Sequence, residues 1–398
     1  MPRALRGASV TVGRMPRWTV LTAPSPDSLE SSDAWALHGA ARVSHELENR
    51  LWGYPDLMYP AHYLAAHLRE HPYSIRRMLV AIPEGATIPT ADDVAGFARL
   101  SLPIKDNTHL VNLEIYVDPD RARQGVGRAL LEAAEALGAE HDRTTVIAWS
   151  EQAGEPSPDT PGVLEPPTGS GRIHPDDAGA NFALRHGYTF EQAERYSVLR
   201  LPVDAALLDQ LQADAAERAG AEYRLVSWTD RCPGEWVHQV AVLETRMSTD
   251  APMAELDMKE ATWDAERVRT WEREVAESSH GYALAAAEHI PTHTLAAFTV
   301  LRYPLDHPEV VFQEDTLVLR EHRGRRLGML VKTENLRRLR ELRPDAKRVH
   351  TWNAEENAYM LSINVALGFR PTGVIGTWQK KAGTPLGVSV SPSGTAEA

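Results

Sequence analysis

A strand–turn–helix that is written twice constrains this 398-residue chain more than any other feature. Residues 114–131 read Glu-Ile-Tyr-Val-Asp-Pro-Asp-Arg-Ala-Arg-Gln-Gly-Val-Gly-Arg-Ala-Leu-Leu, and residues 315–330 read Asp-Thr-Leu-Val-Leu-Arg-Glu-His-Arg-Gly-Arg-Arg-Leu-Gly-Met-Leu. Aligning Val117 with Val318 places Gly127 on Gly328 and Glu114 on Asp315. Downstream, Trp149 falls near Trp352, and Gly187-Tyr188 matches Gly368-Phe369. A repeat of about 200 residues is too long for a solenoid unit and has the size of a domain, so the chain reads as two copies of one fold.

The flanking patterns agree. In the first copy, apolar runs predict strands at 18–23, 77–82, 94–103, 110–117 and 145–149, and helical spacing covers 28–52 and 59–70. After Gly125, residues Val126, Ala129, Leu130, Ala133, Ala134 and Leu137 share one helix face. A helix at 177–186 and a strand near 196–201 follow, with the Pro-, Gly- and Ser-rich stretch 153–175 as an inserted loop. The second copy repeats the order: a strand from Tyr223, helices at 234–247 and 263–277, strands at 281–287, 294–302, 310–319 and 347–352, a helix at 354–366 and a last strand near 373–380. Residues 202–222 read as a helical linker, and 1–17 and 381–398 as disordered tails. The expected class is α/β (α+β), with two tandem domains, 18–201 and 223–380, each a mixed central sheet flanked by helices.

Composition excludes several classes. No run of 18 apolar residues is present, and the first 17 residues lack the apolar core of a secretory signal. The single cysteine, Cys232, rules out an internal disulfide and a cysteine-based zinc site, and no metal is expected. A cytoplasmic protein, monomer or homodimer, fits these facts. Net charge is −13, against general nucleic-acid binding, yet residues 319–350 carry eleven Lys/Arg and four Asp/Glu. Arg320, Arg323, Arg325 and Arg326 crowd the turn itself, which suggests a local anion site on an acidic body.

Backbone N–H groups at a helix start, made accessible by glycine, hold phosphates, and the helix dipole adds favourable charge. Gln124-Gly125-Val126-Gly127 and Arg323-Gly324-Arg325-Arg326-Leu327-Gly328 both suit that task, although neither has the third glycine of a Rossmann fingerprint. Val117-Asp-Pro-Asp-Arg-Ala-Arg-Gln-Gly-Val-Gly resembles the acetyl-CoA signature of the GNAT N-acetyltransferase superfamily: Val-x-Pro, then Arg/Gln-x-x-Gly-x-Gly/Ala at a helix start. Asn181 with Gly187-Tyr188, and Asn357 with Gly368-Phe369, resemble its second motif. The doubled arrangement is similar to the tandem, two-domain actinobacterial type that includes mycothiol synthase.

The resemblance implies a sheet that splays beside the fourth strand, with the pantetheine arm of acetyl-CoA in the gap. Val117 or Val318 with Leu319 would pair with that arm. Arg123, Gln124, Gly125, Val126, Gly127 and Arg128, or Arg323, Gly324, Arg325, Arg326, Leu327, Gly328 and Met329, would hold the pyrophosphate. Asn181 and Asn357 would lie beside the pantetheine. Both copies depart from the pattern: Ala122 replaces the leading Arg/Gln in one, and Arg326 replaces a glycine in the other. The tyrosine that often protonates the leaving thiolate is replaced by Ala183 and Asn364.

Acyl transfer to an amine requires positioning, a route for the amine proton and a donor for the thiolate. Glu114, Glu314 and Asp315 on the fourth strands are candidate bases, and Asn364 is a candidate donor. Strict alternation would put Glu314 and Asp315 on opposite faces, but a bulge on this strand would suspend that rule. Tyr116 and Tyr359 are spare acids, and His350, Trp149 and Trp352 read as structural. The expected function is an acetyl-CoA-dependent N-acetyltransferase acting directly on a primary amine of a cationic small molecule or peptide, with the C-terminal copy favoured for catalysis. Two other readings stay open: a non-catalytic acyl-CoA-binding scaffold, and transfer of a larger acyl group or to a protein amine.

Overall fold

In the computed structural model, which describes residues 17–250 and 252–381, the first half runs β1 (Trp18–Thr22), α1 (Trp35–Trp52), α2 (Ala61–His67), β2 (Ser74–Pro83), β3 (Gly96–Pro103), β4 (Leu110–Val117), α3 (Val126–Glu140), β5 (Thr145–Ala153), α4 (Ala178–Arg185) and β6 (Thr189–Arg200). Helix α5 (Ala205–Ala219) connects it to the second half. That half runs β7 (Tyr223–Thr229), α6 (Val237–Asp250), α7 (Ala265–Glu277), β8 (His280–His289), β9 (Thr294–Pro304), β10 (Val310–Val318), α8 (Leu327–Leu342), β11 (Arg348–Ala354), α9 (Ala358–Leu367) and β12 (Arg370–Lys381). The tails expected at 1–17 and 381–398 lie, but for Arg17 and Lys381, outside the described residues. Local chemistry sets the helix ends: Asp177, Asp204, Asp264 and Asn357 each accept an N–H of the first turn, and Gly53 and Gly368 close α1 and α9 in the left-handed conformation. Strand β6 starts at Thr189, seven residues before the expected Tyr196, because Thr189–Gln192 pair with the chain's last strand.

The two halves share one twelve-stranded sheet, ordered β1-β2-β3-β4-β5-β12-β6-β11-β10-β9-β8-β7. The last strands are exchanged. The C-terminal β12 lies antiparallel to β5 of the first half, and β6 lies antiparallel to β11 of the second. β12 also pairs with β6, so the sheet has no break at its centre.

Each half builds one core on either face of the sheet. In the first half, α3 and α4 bury Val126, Leu130 and Ala180 on one face, and α1 and α2 bury Leu37, Val43 and Leu64 on the other. In the second half, α8 and α9 bury Leu330, Leu336 and Ile363 on the first face, and α6 and α7 bury Val240, Leu243 and Val268 opposite. Helix α5, read as a linker, docks on α8 and contributes Leu208 and Ala215 to that core. At the junction Tyr196 stacks on Trp352 and meets Trp52 edge-on, its hydroxyl bonded to His350 Nδ1 at 2.7 Å. His350 Nε2 lies 3.0 Å from Asp56 Oδ2, so a loop of the first half is fastened to β11 of the second. His350 is fully buried.

Candidate active site

Both halves open their sheet at the same place. β4 pairs in parallel with β5 only over Leu110–Leu113, and β10 pairs with β11 only over Val310–Phe312. Beyond these short ladders Glu114–Val117 and Gln313–Val318 pair with no strand on that side among the described residues; the Gln313 carbonyl accepts from the Thr351 hydroxyl at 3.3 Å and the Val318 carbonyl from Arg323 Nε at 3.2 Å, and the backbone between them is left for an extended ligand.

The turns that follow have matching backbones and swapped residues. Two positions in each turn are left-handed. The first half fills them with Arg123 (φ 62°) and Gly125 (φ 89°), the second with Gly324 (φ 78°) and Arg326 (φ 57°). Arg326 therefore does not adopt the helical angles that would make its substitution for glycine free. It stands in a region that costs a non-glycine residue about 1 kcal/mol or more. Alternation of left- and right-handed residues before a helix turns successive N–H groups to one concave side, the geometry of an anion nest. The next glycines pack: a Cβ on Gly328 would meet Ile363 of α9 at 3.2 Å, and one on Gly127 would meet Phe182 of α4 at 3.5 Å.

The arginines of the second turn already have carboxylate partners. Asp250, at the end of α6, holds Arg320 and Arg323 at 2.9 Å each. Arg325 lies 3.5 Å from Glu222 and Arg326 3.9 Å from Asp214, both exposed pairs. In the first turn Arg128 pairs with Glu132 on its own helix, and the side-chain amide of Gln124 donates to the Asp120 carbonyl.

The fourth strands differ in a way that decides which acids meet. In β4, Glu114 sits opposite Arg99 in unbroken register, and Arg99 Nη1 donates to its carboxylate at 2.7 Å. In β10, Gln313 pairs with Leu301 and Thr316 with Thr299, so Glu314 and Asp315 together oppose Val300. This bulge overrides strict alternation, and both acids line one cleft. The Gln313 side chain satisfies groups that the bulge disturbs, donating to the Thr299 hydroxyl and to the Val300 and Glu314 carbonyls at 2.9–3.0 Å.

The cleft has a volume of about 230 Å³. Its walls include Trp263, Trp271, Glu244 and Glu274 of the second half and Tyr63 and His67 of α2 in the first. Glu314 is tied to Arg302, whose Nε donates at 2.7 Å. Asp315 forms no ion pair among the described residues, and burial reinforced by the Glu314 charge raises its carboxyl to about 7. Glu244 is pushed well above the usual range by burial and by Asp315. His67 is held neutral: burial and the Arg99 guanidinium lower it to about 2. Arg99 can only donate to His67 Nδ1, at 3.3 Å, so the ring proton is on Nε2, a buried atom in the cleft wall with no partner.

The remaining expected residues are placed as follows. Asn364 is buried and links Lys332 Nζ, which donates to its Oδ1 at 3.0 Å, to Asn353 Oδ1, which accepts from its Nδ2 at 2.7 Å. Asn357 caps α9. Asn181 spends its amide donors on the carbonyls of Pro175 and Asp177. Tyr116 packs on Phe97, Tyr359 is exposed, and Trp149 lies partly open on β5. Glu244 and His67 escaped the sequence reading. Glu244 carried a signal, an acid one turn beyond Val240 and Ala241 on the buried face of α6.

Residues 43–157, from α1 to the loop after β5, match the model of the acetyltransferase (GNAT) family. A tandem GNAT protein from the clavulanic acid biosynthesis pathway is 25% identical; 92% of this chain aligns with 99% of that one at a TM-score of 0.69. Residues 43–157 thus carry a GNAT acetyltransferase domain, and the whole chain is similar to a tandem GNAT protein. Its activity class is therefore acyl transfer. A GCN5-related N-acetyltransferase from Sphaerobacter thermophilus shares the fold at 13% identity, covering 92% of this chain and 95% of that one, with a TM-score of 0.54. No curated protein sequence matches the chain. The family model falls on the first GNAT half, whose turn keeps the Gly-x-Gly, whereas the second half carries the cleft with the unpaired acid. Among the described residues no helix is long and apolar enough to cross a membrane.

Proposed function

We propose that this tandem GNAT protein transfers an acetyl group from acetyl-CoA to a primary amine, by direct attack in a ternary complex at the cleft of the C-terminal half. The two units would be 18–201, with 153–175 as an insertion, and 223–380, joined by 202–222. The observation that carries the reading is Asp315, an unpaired carboxylate beside a second acid in a cleft walled by Trp263 and Trp271. A carboxylate without a cationic partner suits a substrate that arrives as an ammonium ion, and the aromatic walls add cation–π attraction.

Three features support the donor in this half: a strand edge at 314–317 without a strand partner, a nest at Gly324–Leu327, and a glycine at 328 where a larger residue would press on α9. Acetyl-CoA supplies the electrophilic thioester carbonyl. Val318 and Leu319 would hold its pantetheine arm, residues 323–329 its pyrophosphate, and Asn357 would lie beside the arm. Arg325 and Arg326, whose carboxylate pairs are long and exposed, can turn to the phosphates at little cost. Asp315 accepts the proton of the bound ammonium, and Glu314, held by Arg302 at 2.7 Å, raises the carboxyl of Asp315 beside it. His67 Nε2–H offers a donor to the acceptor substrate. Asn364, its amide held by Lys332 and Asn353, would be the donor to the leaving thiolate. The first half would hold acetyl-CoA through Val117, residues 123–128 and Asn181.

The test is thiol release from acetyl-CoA against a panel of amines, amino sugars and basic peptides. Turnover that depends on Asp315 supports the reading. Acetyl-CoA binding without thiol release on any amine sinks it in favour of a non-catalytic binding protein. The acidic body supports action on small amines and not on nucleic acid, and the protein would work as a cytoplasmic monomer or homodimer.

A further inference from the structure

The two halves repeat one arrangement, so each position in the second has a counterpart that shows what packing alone requires. Aligned on Gly127 and Gly328, Lys332 of α8 corresponds to Leu131 of α3. Aligned on Gly187 and Gly368, Asn364 of α9 corresponds to Ala183 of α4. Leu131 and Ala183 are buried apolar residues of the first half's core. The second half sets a lysine and an amide in the same two places, and Lys332 is only 1% exposed. Among the described residues no carboxylate pairs with it: its Nζ donates to Asn364 Oδ1 at 3.0 Å, and the Phe369 ring lies 5.9 Å away. A buried ammonium without a counter-ion costs stability that an apolar residue would not. The first half shows that the fold does not need it.

Lysine has donors only, so it fixes the Asn364 amide with Oδ1 toward Nζ and Nδ2 away from it. One N–H of Nδ2 goes to Asn353 Oδ1 at 2.7 Å, and the other has no partner among the described residues. Asn353 lies three residues past His350, the last β11 residue paired with β10, so the line Lys332–Asn364–Asn353 joins the two banks of the gap where these strands separate. No such line forms in the first half, where Ser150 stands at the place of Asn353 and accepts from the Trp378 indole.

We propose that Lys332 is a positioning residue for the leaving thiolate of the C-terminal half: it orients the Asn364 amide so that the unused N–H is offered to the sulfur, and its charge strengthens that donor. The inference rests on the reading that this half holds acetyl-CoA in its strand gap. When the amine nitrogen bonds to the acetyl carbon and the C–S bond breaks, the bonding pair goes to sulfur. The Asn364 N–H then meets a negative charge, and the second proton shed by the attacking nitrogen converts the thiolate to the thiol. Lys332 ends the cycle as it began. Burial lowers its ammonium to about 7; the Asn364 amide of α9 and the Phe369 ring before β12 face it, and no titratable side chain shifts it. An anion at the sulfur draws this group toward its charged form, so the interaction is stronger with the thiolate than with the thioester.

The ionisation of bound CoA tests this without an acceptor. The full chain is saturated with CoA, and the ultraviolet absorbance of the thiolate is followed against pH, with desulfo-CoA as the blank. In the wild type the thiol held by the second half is expected to titrate about one unit or more below free CoA, a roughly tenfold rise in its ionisation constant. Any CoA on the first half titrates as in solution, and Gly328→Val removes only the shifted population. Lys332→Met, close to the lysine in volume and without its charge, abolishes the shift. Should that variant fail to fold, Lys332→Leu with Asn364→Ala restores the pair that packs in the first half and reads the same loss. Bound thiol that titrates only like free CoA overturns the proposal, as does a shift that survives Lys332→Met. A shift lost in Gly127→Val and kept in Gly328→Val sinks the assignment of the donor to the C-terminal half, and this inference with it. A shift removed by Lys332→Met in a protein that acylates no amine supports the inference and sinks only the transfer reading.

Discussion

Asp315→Asn is expected to lower activity and raise stability at once. The side chain keeps its shape and loses the ability to take a proton, and a positioned general base is worth about 10²–10⁴ in rate, or roughly 3–5 kcal/mol of barrier. In the wild type the carboxyl is raised from 3.8 to about 7 by burial and by Glu314, so kcat/KM should climb with pH up to about 7 and then level off. The stability effect has the opposite sign. A raised carboxyl stabilises the fold fully below its unfolded value, and that contribution is lost as pH rises through about 7. The shift of about three units, at 1.36 kcal/mol per unit, gives an upper value near 4 kcal/mol, and partial exposure reduces it to about 1–3 kcal/mol. At pH 8 the variant should therefore be more stable than the wild type in urea by about that amount, and indistinguishable at pH 4. Steady-state thiol release and urea melts at both pH values provide the readout. Activity within twofold of wild type, a rise toward pH 7 that persists in the variant, or lower stability at pH 8 would refute the assignment of Asp315 as an unpaired base.

Glu314→Gln strands Arg302 without its 2.7 Å partner, and a loss of about 2–4 kcal/mol in urea unfolding is expected, with a smaller fall in kcat than for Asp315→Asn. Gly328→Val presses on Ile363 at a Cβ distance of 3.2 Å and should abolish turnover with a loss of about 1–3 kcal/mol, whereas the looser Gly127 site should spare it; the reverse pattern in thiol release would assign catalysis to the first half. Asp250→Asn releases Arg320 and Arg323, so KM for acetyl-CoA should fall severalfold and become more sensitive to salt; an unchanged KM would mean that this turn does not meet the phosphates. Tyr196→Phe leaves His350 Nδ1 buried without its 2.7 Å partner and should lower stability by about 1–3 kcal/mol in thermal melts while kcat changes little.

The sequence by itself determined the doubling, the order of strands and helices in each copy, and the turn that opens α3 and α8. These are carried by local signals: a period of two or 3.6, glycine before a helix, an acid at a strand end. Even the exchange of Arg and Gly between the two left-handed positions is written in the residues, although only backbone angles show that the positions are equivalent. Glu244, an acid one turn beyond Val240 and Ala241 on α6, carried a local signal of the same kind that the sequence reading passed over.

Tertiary structure decided the rest. Exchange of β6 and β12 leaves each strand's own pattern unchanged, since a strand alternates alike beside either partner. The bulge that gathers Glu314 and Asp315 depends on how β10 pairs with β9, a register that no local period encodes. The carboxylates that hold the arginines of the second turn come from α5 and α6 and the residues after α5, about 70 to 110 positions away along the chain. A local pattern specifies what a segment can become. Which acid is left without a partner depends on which distant segments fold against it, and that is where the chemistry of this protein is set.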